Sequence, residues 1–218
     1  MRKPKYRAVL LDVDDTIFKT REIKWQQHKW VAKNYYGIDL TDETLRNHWG
    51  RPFDDMVAAI YENQDTFEGR RANFIRHELE FSKEYQPHAL SLIHDLKSAK
   101  IVLGLISSMY LEGAMIEYKK LKLPFDSFEI IQGTEATKFH KPDGRVFRPA
   151  LTRLSELGIN NKIAFVGDAL TDFIAADDAG LDFIGVTQGL TTAEQFHKSG
   201  ADKIFANLKD VGTYILNS

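Results

Sequence analysis

Arg7-Ala8-Val9-Leu10-Leu11-Asp12-Val13-Asp14-Asp15-Thr16-Ile17-Phe18 is the stretch on which the fold turns. A short apolar run closed by a polar cluster suits a parallel strand covered on both faces, because such a strand is apolar at successive positions rather than alternating. In open parallel α/β sheets the ligand crevice lies outside the carboxyl ends of the strands. Asp12, Asp14, Asp15 and Thr16 therefore stand at a ligand edge. Carboxylates this close repel one another unless a proton or a cation intervenes. Oxygen donors of this kind suit a hard metal, Mg²⁺ above all. A capped turn would account for one or two of the same residues. The reading gains force only if other strand ends carry a hydroxyl, a lysine and further carboxylates.

The chain has 218 residues, 43% of them hydrophobic, enough to bury a full core as one large domain or a domain plus a smaller insert. A formal net charge of -2 gives no electrostatic pull toward nucleic acid or an anionic membrane, and neither is expected as a partner. The absence of Cys excludes disulfides and thiolate metal sites. Met1 to Lys5 is basic but leads into a strand too short for a signal-peptide core, and no apolar run approaches membrane-span length. The default expectation is a soluble cytoplasmic protein, a monomer or homodimer.

After Phe18 the pattern changes. From Thr20 to about Gln86 it predicts helices only, over Thr20 to Tyr36, Asp42 to Trp49, Phe53 to Tyr61 and Thr66 to Tyr85. In the last of these, Phe67, Phe74 and Phe81 recur on one helical face, as bundle core would. Trp25, Trp30, Tyr35 and Tyr36 suit ordinary packing better than a ligand pocket. From Pro87 onward helix and strand alternate, with strands at Ile101 to Ile106, Ser127 to Ile131, Lys162 to Val166, Phe183 to Val186 and Lys203 to Phe205. Repeated strand-helix units predict a doubly wound parallel sheet, a Rossmann-like α/β core. The first strand needs that sheet to join, so the helical block reads as an insertion.

The other strand ends carry the matching groups. Ile101 to Ile106 runs into Ser107 and Ser108, a hydroxyl and backbone amides able to donate to an anion. The loop after Ile131 holds Lys138, His140 and Lys141, and Pro142 favours Lys141 as the lysine that neutralises phosphate oxygens. After Val166 come Gly167, Asp168, Thr171 and Asp172; Thr171 or Asp172 fits a helix cap, while Asp168 at the strand tip fits a metal ligand.

These residues resemble the haloacid dehalogenase-like hydrolases, especially the phosphatase branch with a helical cap inserted after the first motif. Four motifs stand in family order over nearly the whole chain: Asp12-Val-Asp14-Asp15-Thr16, Leu105-Ile106-Ser107-Ser108, Lys141-Pro142-Asp143-Gly144-Arg145-Val146-Phe147, and Gly167-Asp168 through Asp172. Ser108 replaces a frequent asparagine and Gly144 a frequent second proline; neither change removes a reacting group. The resemblance implies a core of residues 1–18 and 87–218, a cap of residues 19–86, and a Mg²⁺-dependent phosphatase acting on a small-molecule phosphate ester. It implies that Asp12 attacks phosphorus and that Asp14 protonates the leaving oxygen. It also places Asp12 and Asp168 on the metal with the backbone carbonyl of Asp14, Asp172 either binding the metal directly or supporting its ligands, and Thr16, Ser107, Ser108 and Lys141 around the phosphate. Within the family Asp14 argues against a dehalogenase, since a halide needs no proton. A sugar-phosphate mutase stays open, as does a phosphonate hydrolase using Lys24 or Lys29 for a Schiff base. A phospho-accepting signalling domain is disfavoured by motif order and by the insert. Arg51, in the turn Gly50-Arg51-Pro52, is the candidate for substrate choice; phosphoglycolate, nucleoside monophosphates and sugar phosphates all remain open.

Overall fold

The computed structural model describes residues 4–217; Met1 to Lys3 of the basic N-terminal run lie outside the described residues. Strand β1 (Ala8–Asp12) is buried along its whole length, as its continuous apolar run requires. A two-residue strand β2 (Phe18–Lys19) follows, then helices α1 (Arg21–Val31), α2 (Asp42–His48), α3 (Phe53–Ile60) and α4 (Phe67–Ile75), and a second short strand β3 (Glu84–Tyr85). Beyond it lie α5 (Ala89–Ser98), β4 (Val102–Ile106), α6 (Leu111–Lys120), β5 (Ile130–Gln132), α7 (Arg148–Glu156) and β6 (Ile163–Gly167). The chain closes with α8 (Leu170–Asp178), β7 (Asp182–Val186), α9 (Ala193–Lys198), β8 (Ile204–Phe205) and α10 (Leu208–Leu216).

The main sheet has the order β5-β4-β1-β6-β7-β8 with every pair parallel. Counted along the core this is 3-2-1-4-5-6, so the winding direction reverses between β1 and β6, where a doubly wound sheet opens its ligand crevice. Alternate residues of β1 serve opposite faces. Val9 and Leu11 pack with α5, α6 and α10 through Leu92, Tyr118 and Val211, while Ala8 and Leu10 pack with α7 and α8 through Leu154 and Ala176. Both faces are thereby closed to water, which is what an all-parallel sheet needs.

The expected insertion is present. β2 pairs antiparallel with β3, matching Phe18 to Tyr85 and Lys19 to Glu84, and the Gln86 amide donates to the Ile17 carbonyl at 2.8 Å. The chain thus leaves and re-enters the core at one point. The intervening helices share an apolar cluster of their own, including Trp25, Val31, Leu45, Val57, Tyr61 and Phe74.

Three expectations are corrected. The helix expected over Thr66 to Tyr85 stops at Ile75, where the Phe74 carbonyl accepts the Gln27 side-chain amide at 2.8 Å and the amides of His77 and Glu78 turn back on the carbonyls three residues before them. Phe81 therefore leaves the stripe of Phe67 and Phe74, and Glu84 and Tyr85 are strand. The strand expected over Ser127 to Ile131 is shifted to β5, since Phe125–Ser127 turns as a 3-10 helix first. Trp25 is core as expected, while Trp30 and Tyr35 lie on an outer face around the His77 ring. No helix among the described residues is long and apolar enough to cross a membrane.

Candidate active site

Asp12 ends β1, Asp168 follows β6 directly, Asp172 lies in the first turn of α8, and Lys141 comes from the loop after β5. The fold brings these four together. Lys141 Nζ lies 2.6 Å from Asp12 Oδ1 and 2.7 Å from Asp172 Oδ1. Asp172 Oδ2 accepts the backbone N–H groups of Asp168 and Ala169 at 3.1 Å each, which fixes its orientation at the helix N-terminus. Asp12, Asp168 and Asp172 each offer an oxygen within 4.8 Å of the others. A side chain at residue 189 would put its Cβ 1.7 Å from Asp168 Oδ2, and one at residue 167 would put it 2.4 Å from Asp172 Oδ2, so Gly189 and Gly167 make room for the two carboxylates. Gly189 carries no motif signal and was not foreseen.

The charge balance bears on what the site can hold. Burial pushes the Asp12 carboxyl up to about 7; Lys141 opposes this and Asp172 and Asp14 add to it. Asp168 is pushed well above the carboxylate range by burial and then by Asp172, Asp12 and Asp15. Burial disfavours the Lys141 ammonium, but Asp12 and Asp172 outweigh it and hold it charged. One ammonium against three buried carboxylates leaves negative charge uncompensated. All the donors are hard oxygens, so the residues fit a divalent cation.

Asp14 stands apart from this group. Burial alone would raise its pKa, but the Lys83 ammonium at 2.8 Å and the Thr20 hydroxyl at 2.9 Å lower it, so its carboxylate is ionised. Lys83 also reaches Glu117 at 3.3 Å, and Glu117 lies 3.2 Å from Lys24, which binds Glu78 at 2.8 Å. This buried chain of charges runs from the crevice through α6 into the insert. It was missed in the sequence although a signal existed. Lys24, Gln27, His28 and Val31 recur at the spacing of one helical face, so polar residues occupy a core stripe.

The remaining candidates divide. Thr16 is fully buried, donates to Asp168 Oδ1 at 3.3 Å and does not line the cavity. Asp15 accepts the amides of Thr20 and Arg21 and caps α1. Ser107 is buried with its hydroxyl on the Met109 amide, whereas Ser108 faces the cavity. Lys138 lies over the Phe139 ring and His140 contacts Thr134, both away from the cavity, as Lys141's selection required. Arg51 does line it, following Gly50, whose φ of +85° is costly for any side chain with a Cβ.

That cavity holds about 350 Å³ between the carboxylates and the insert. Trp25, Trp30, Tyr35 and Tyr36 take no part in its wall; Trp49, Phe53 and Phe74 do. His28 also lines it, its Nδ1 2.8 Å from the Tyr61 hydroxyl and its ring stacked on Phe74. Burial, aided by the Lys24 charge, pushes the His28 pKa down to about 3 from 6.5. Between these values the unfolded chain binds a proton that the folded chain refuses, so stability falls as pH falls through that window. The expected loss from this ring is about 1.4 kcal/mol per pH unit. Urea unfolding at about pH 6.5 and about pH 4.5 should therefore show a shallower decline for His28→Phe than for wild type. Parallel declines would refute the assignment.

A 3-2-1-4-5-6 parallel sheet with a lysine among buried carboxylates at its switch point defines a doubly wound α/β protein with an acidic, cation-fitting centre. The chain belongs to the haloacid dehalogenase-like hydrolase family, whose model matches residues 9–186. It is 27% identical over 202 residues to PpaX of Clostridium perfringens (strain 13 / Type A), named as a candidate pyrophosphatase, covering 90% of this chain and 91% of that one. Among solved structures, a candidate haloacid dehalogenase-like hydrolase from Bacteroides fragilis superposes with a TM-score of 0.81 at 25% identity, covering 94% of this chain and 99% of that one. A structure named as a predicted phosphoglycolate phosphatase, from Haemophilus somnus 129PT, gives a TM-score of 0.81 at 19% identity, covering 95% and 96%, and shares the fold.

Proposed function

We propose that the chain is a Mg²⁺-dependent phosphatase that hydrolyses a small-molecule phosphate monoester, with residues 1–18 and 87–218 as catalytic core and residues 19–86 as a cap. The observation that carries this reading is the Lys141 ammonium between Asp12 and Asp172, with Asp168 beside them. Asp12 attacks phosphorus as the ester P–O bond breaks, and Asp14 gives its proton to the departing alcohol. Asp14 then takes a proton from the water that cleaves the aspartyl-phosphate, releasing phosphate and Asp12. Lys141, with Ser107 and Ser108, binds the phosphoryl oxygens where charge builds up. Asp12, Asp168 and Asp172, with the backbone carbonyl of Asp14, would hold Mg²⁺, which supplies positive charge to the phosphoryl group and keeps Asp12 ionised.

Asp14 can act as an acid only once Lys83 and Thr20 release it, so movement of the cap and proton transfer are coupled in this reading. The Lys24 ammonium is taken up by Glu78, Glu117, Gln27 and the Phe81 carbonyl, which weighs against a Schiff-base lysine and hence a phosphonate hydrolase. Lys29, paired with Asp42 on the surface, is no better placed. Arg51 is the specificity contact at the rim, where it meets the part of the ester nearest solvent.

Phosphate release from a panel of esters tests the function. Chelator is expected to abolish it and added Mg²⁺ to restore it. Full turnover in excess chelator would remove the metal from the mechanism, and accumulation of a bisphosphate in place of free phosphate would make the enzyme a mutase.

A further inference from the structure

The cavity's wall bears on which alcohol the ester carries, an inference that rests on the phosphatase reading. Away from the carboxylates the wall is Trp49, Phe53, Met56, Phe74, Met109 and Leu190. The cations that reach it are otherwise engaged: Lys24 with Glu78 and Glu117, Lys83 with Asp14 and Glu117, Lys141 with Asp12 and Asp172. Of the described cations that line the cavity, Arg51 alone lacks an ion pair, and it is exposed at the rim. An anionic leaving group would thus enter an apolar space whose inner cations are already paired, at a high desolvation cost.

His28 adds a polar group to that wall beside its apolar side chains. Among the described residues its Nε2 has no partner, yet it is not a sealed-off polar atom, so it borders the cavity that the residue lines. The tautomer follows from Tyr61. The Tyr61 hydroxyl is buried and meets only His28 Nδ1, so unless it donates there its proton has no acceptor. Nδ1 is then the acceptor and Nε2 carries the hydrogen. The cavity is presented with a neutral N–H donor.

We propose that the substrate is the phosphate monoester of an uncharged, ring-bearing alcohol, its ring held between the Phe53, Met56 and Phe74 side and Met109, and a carbonyl, hydroxyl or ring-nitrogen acceptor taking the His28 Nε2–H. A cavity of about 350 Å³ has room for one such ring system beyond the phosphate. Ring faces stack favourably on aromatic side chains. Any charged substituent has to lie at the rim with Arg51.

The test is phosphate release from benzyl phosphate, 4-acetylbenzyl phosphate, phosphoglycolate, pyrophosphate and acetyl phosphate, each with Mg²⁺. Both benzyl esters are expected to exceed phosphoglycolate and pyrophosphate in kcat/KM by at least about tenfold, the acetyl group adding roughly another tenfold. In His28→Phe the ratio of acetylbenzyl to benzyl ester should collapse to about one. A preference for phosphoglycolate or pyrophosphate, or a ratio that survives the substitution, overturns the inference and leaves the phosphatase reading standing. If His28→Phe does not fold, the wild-type ranking still decides the ring-bearing class. No phosphate from any of the five, acetyl phosphate included, overturns the phosphatase reading itself.

Discussion

Asp12→Asn is expected to leave no measurable turnover, because an amide neither attacks phosphorus nor serves as an anionic metal ligand. Loss of a covalent nucleophile removes the whole reaction path rather than one stabilising contact, so the fall in kcat should exceed about 10⁴-fold. The fold should survive. Lys141 keeps Asp172 at 2.7 Å, and a site with too many buried carboxylates loses one of them. Circular dichroism and urea unfolding establish that the variant is native before its rate is read. A native variant with more than about one per cent of the wild-type rate would defeat the covalent route, since background hydrolysis by the remaining groups falls well below that.

Lys24→Met is expected to cost more stability than any surface change. Lys24 lies between Glu78 and Glu117 with its side chain 3% exposed, and removing it strands two buried carboxylates. Breaking a buried pair on one side typically costs about 3–5 kcal/mol, because the remaining charge keeps its desolvation penalty and loses its partner. For a chain of this size that corresponds to a fall in Tm of roughly 10 °C. Burial already raises the Glu78 pKa, whereas burial of Glu117 is outweighed by Lys83 and Lys24, which lower its pKa. Glu78 should therefore take up a proton first when Lys24 is lost, softening the penalty at acidic pH. Lys24→Met combined with Glu78→Leu should recover much of the loss, as apolar replacements of buried pairs commonly do. A Lys24→Met protein as stable as wild type would mean that the ammonium contributes nothing beyond its own burial.

The Lys24 network continues into contacts that the two ends of the insert make with the core. Lys83 precedes β3, Thr20 follows β2, and both hold Asp14. Arg71 on α4 reaches Glu112 on α6 at 2.7 Å, and the Tyr110 hydroxyl donates to Asp54 on α3 at 3.2 Å. The insert is thus fastened to the core by buried charges at its base, by the exposed Arg71–Glu112 pair and by the half-buried Tyr110–Asp54 bond. Exposed pairs are weak and screened by salt, buried ones less so.

What the sequence determined by itself was local in origin. An apolar run such as Ala8 to Leu11 must be covered on both faces, and polar residues placed just beyond a parallel strand must face the crevice; Asp12, Lys141, Asp168 and Asp172 were legible for that reason. The insertion was legible from the change of period after Phe18, and Lys141 was separable from Lys138 through its neighbour Pro142. Only the tertiary structure decided the rest, because burial and pairing are properties of segments that meet across long stretches of chain. Thr16 turned to Asp168, 152 residues away, and Lys83 was matched to Asp14 across 69. Gln27, 47 residues away, took up the Phe74 carbonyl where a helix expected to run on comes to its end. His28 became a neutral donor only because Tyr61 and Phe74 enclose it. A side chain's charge state follows from the dielectric and the partners around it, and those are settled by packing rather than by neighbours in sequence.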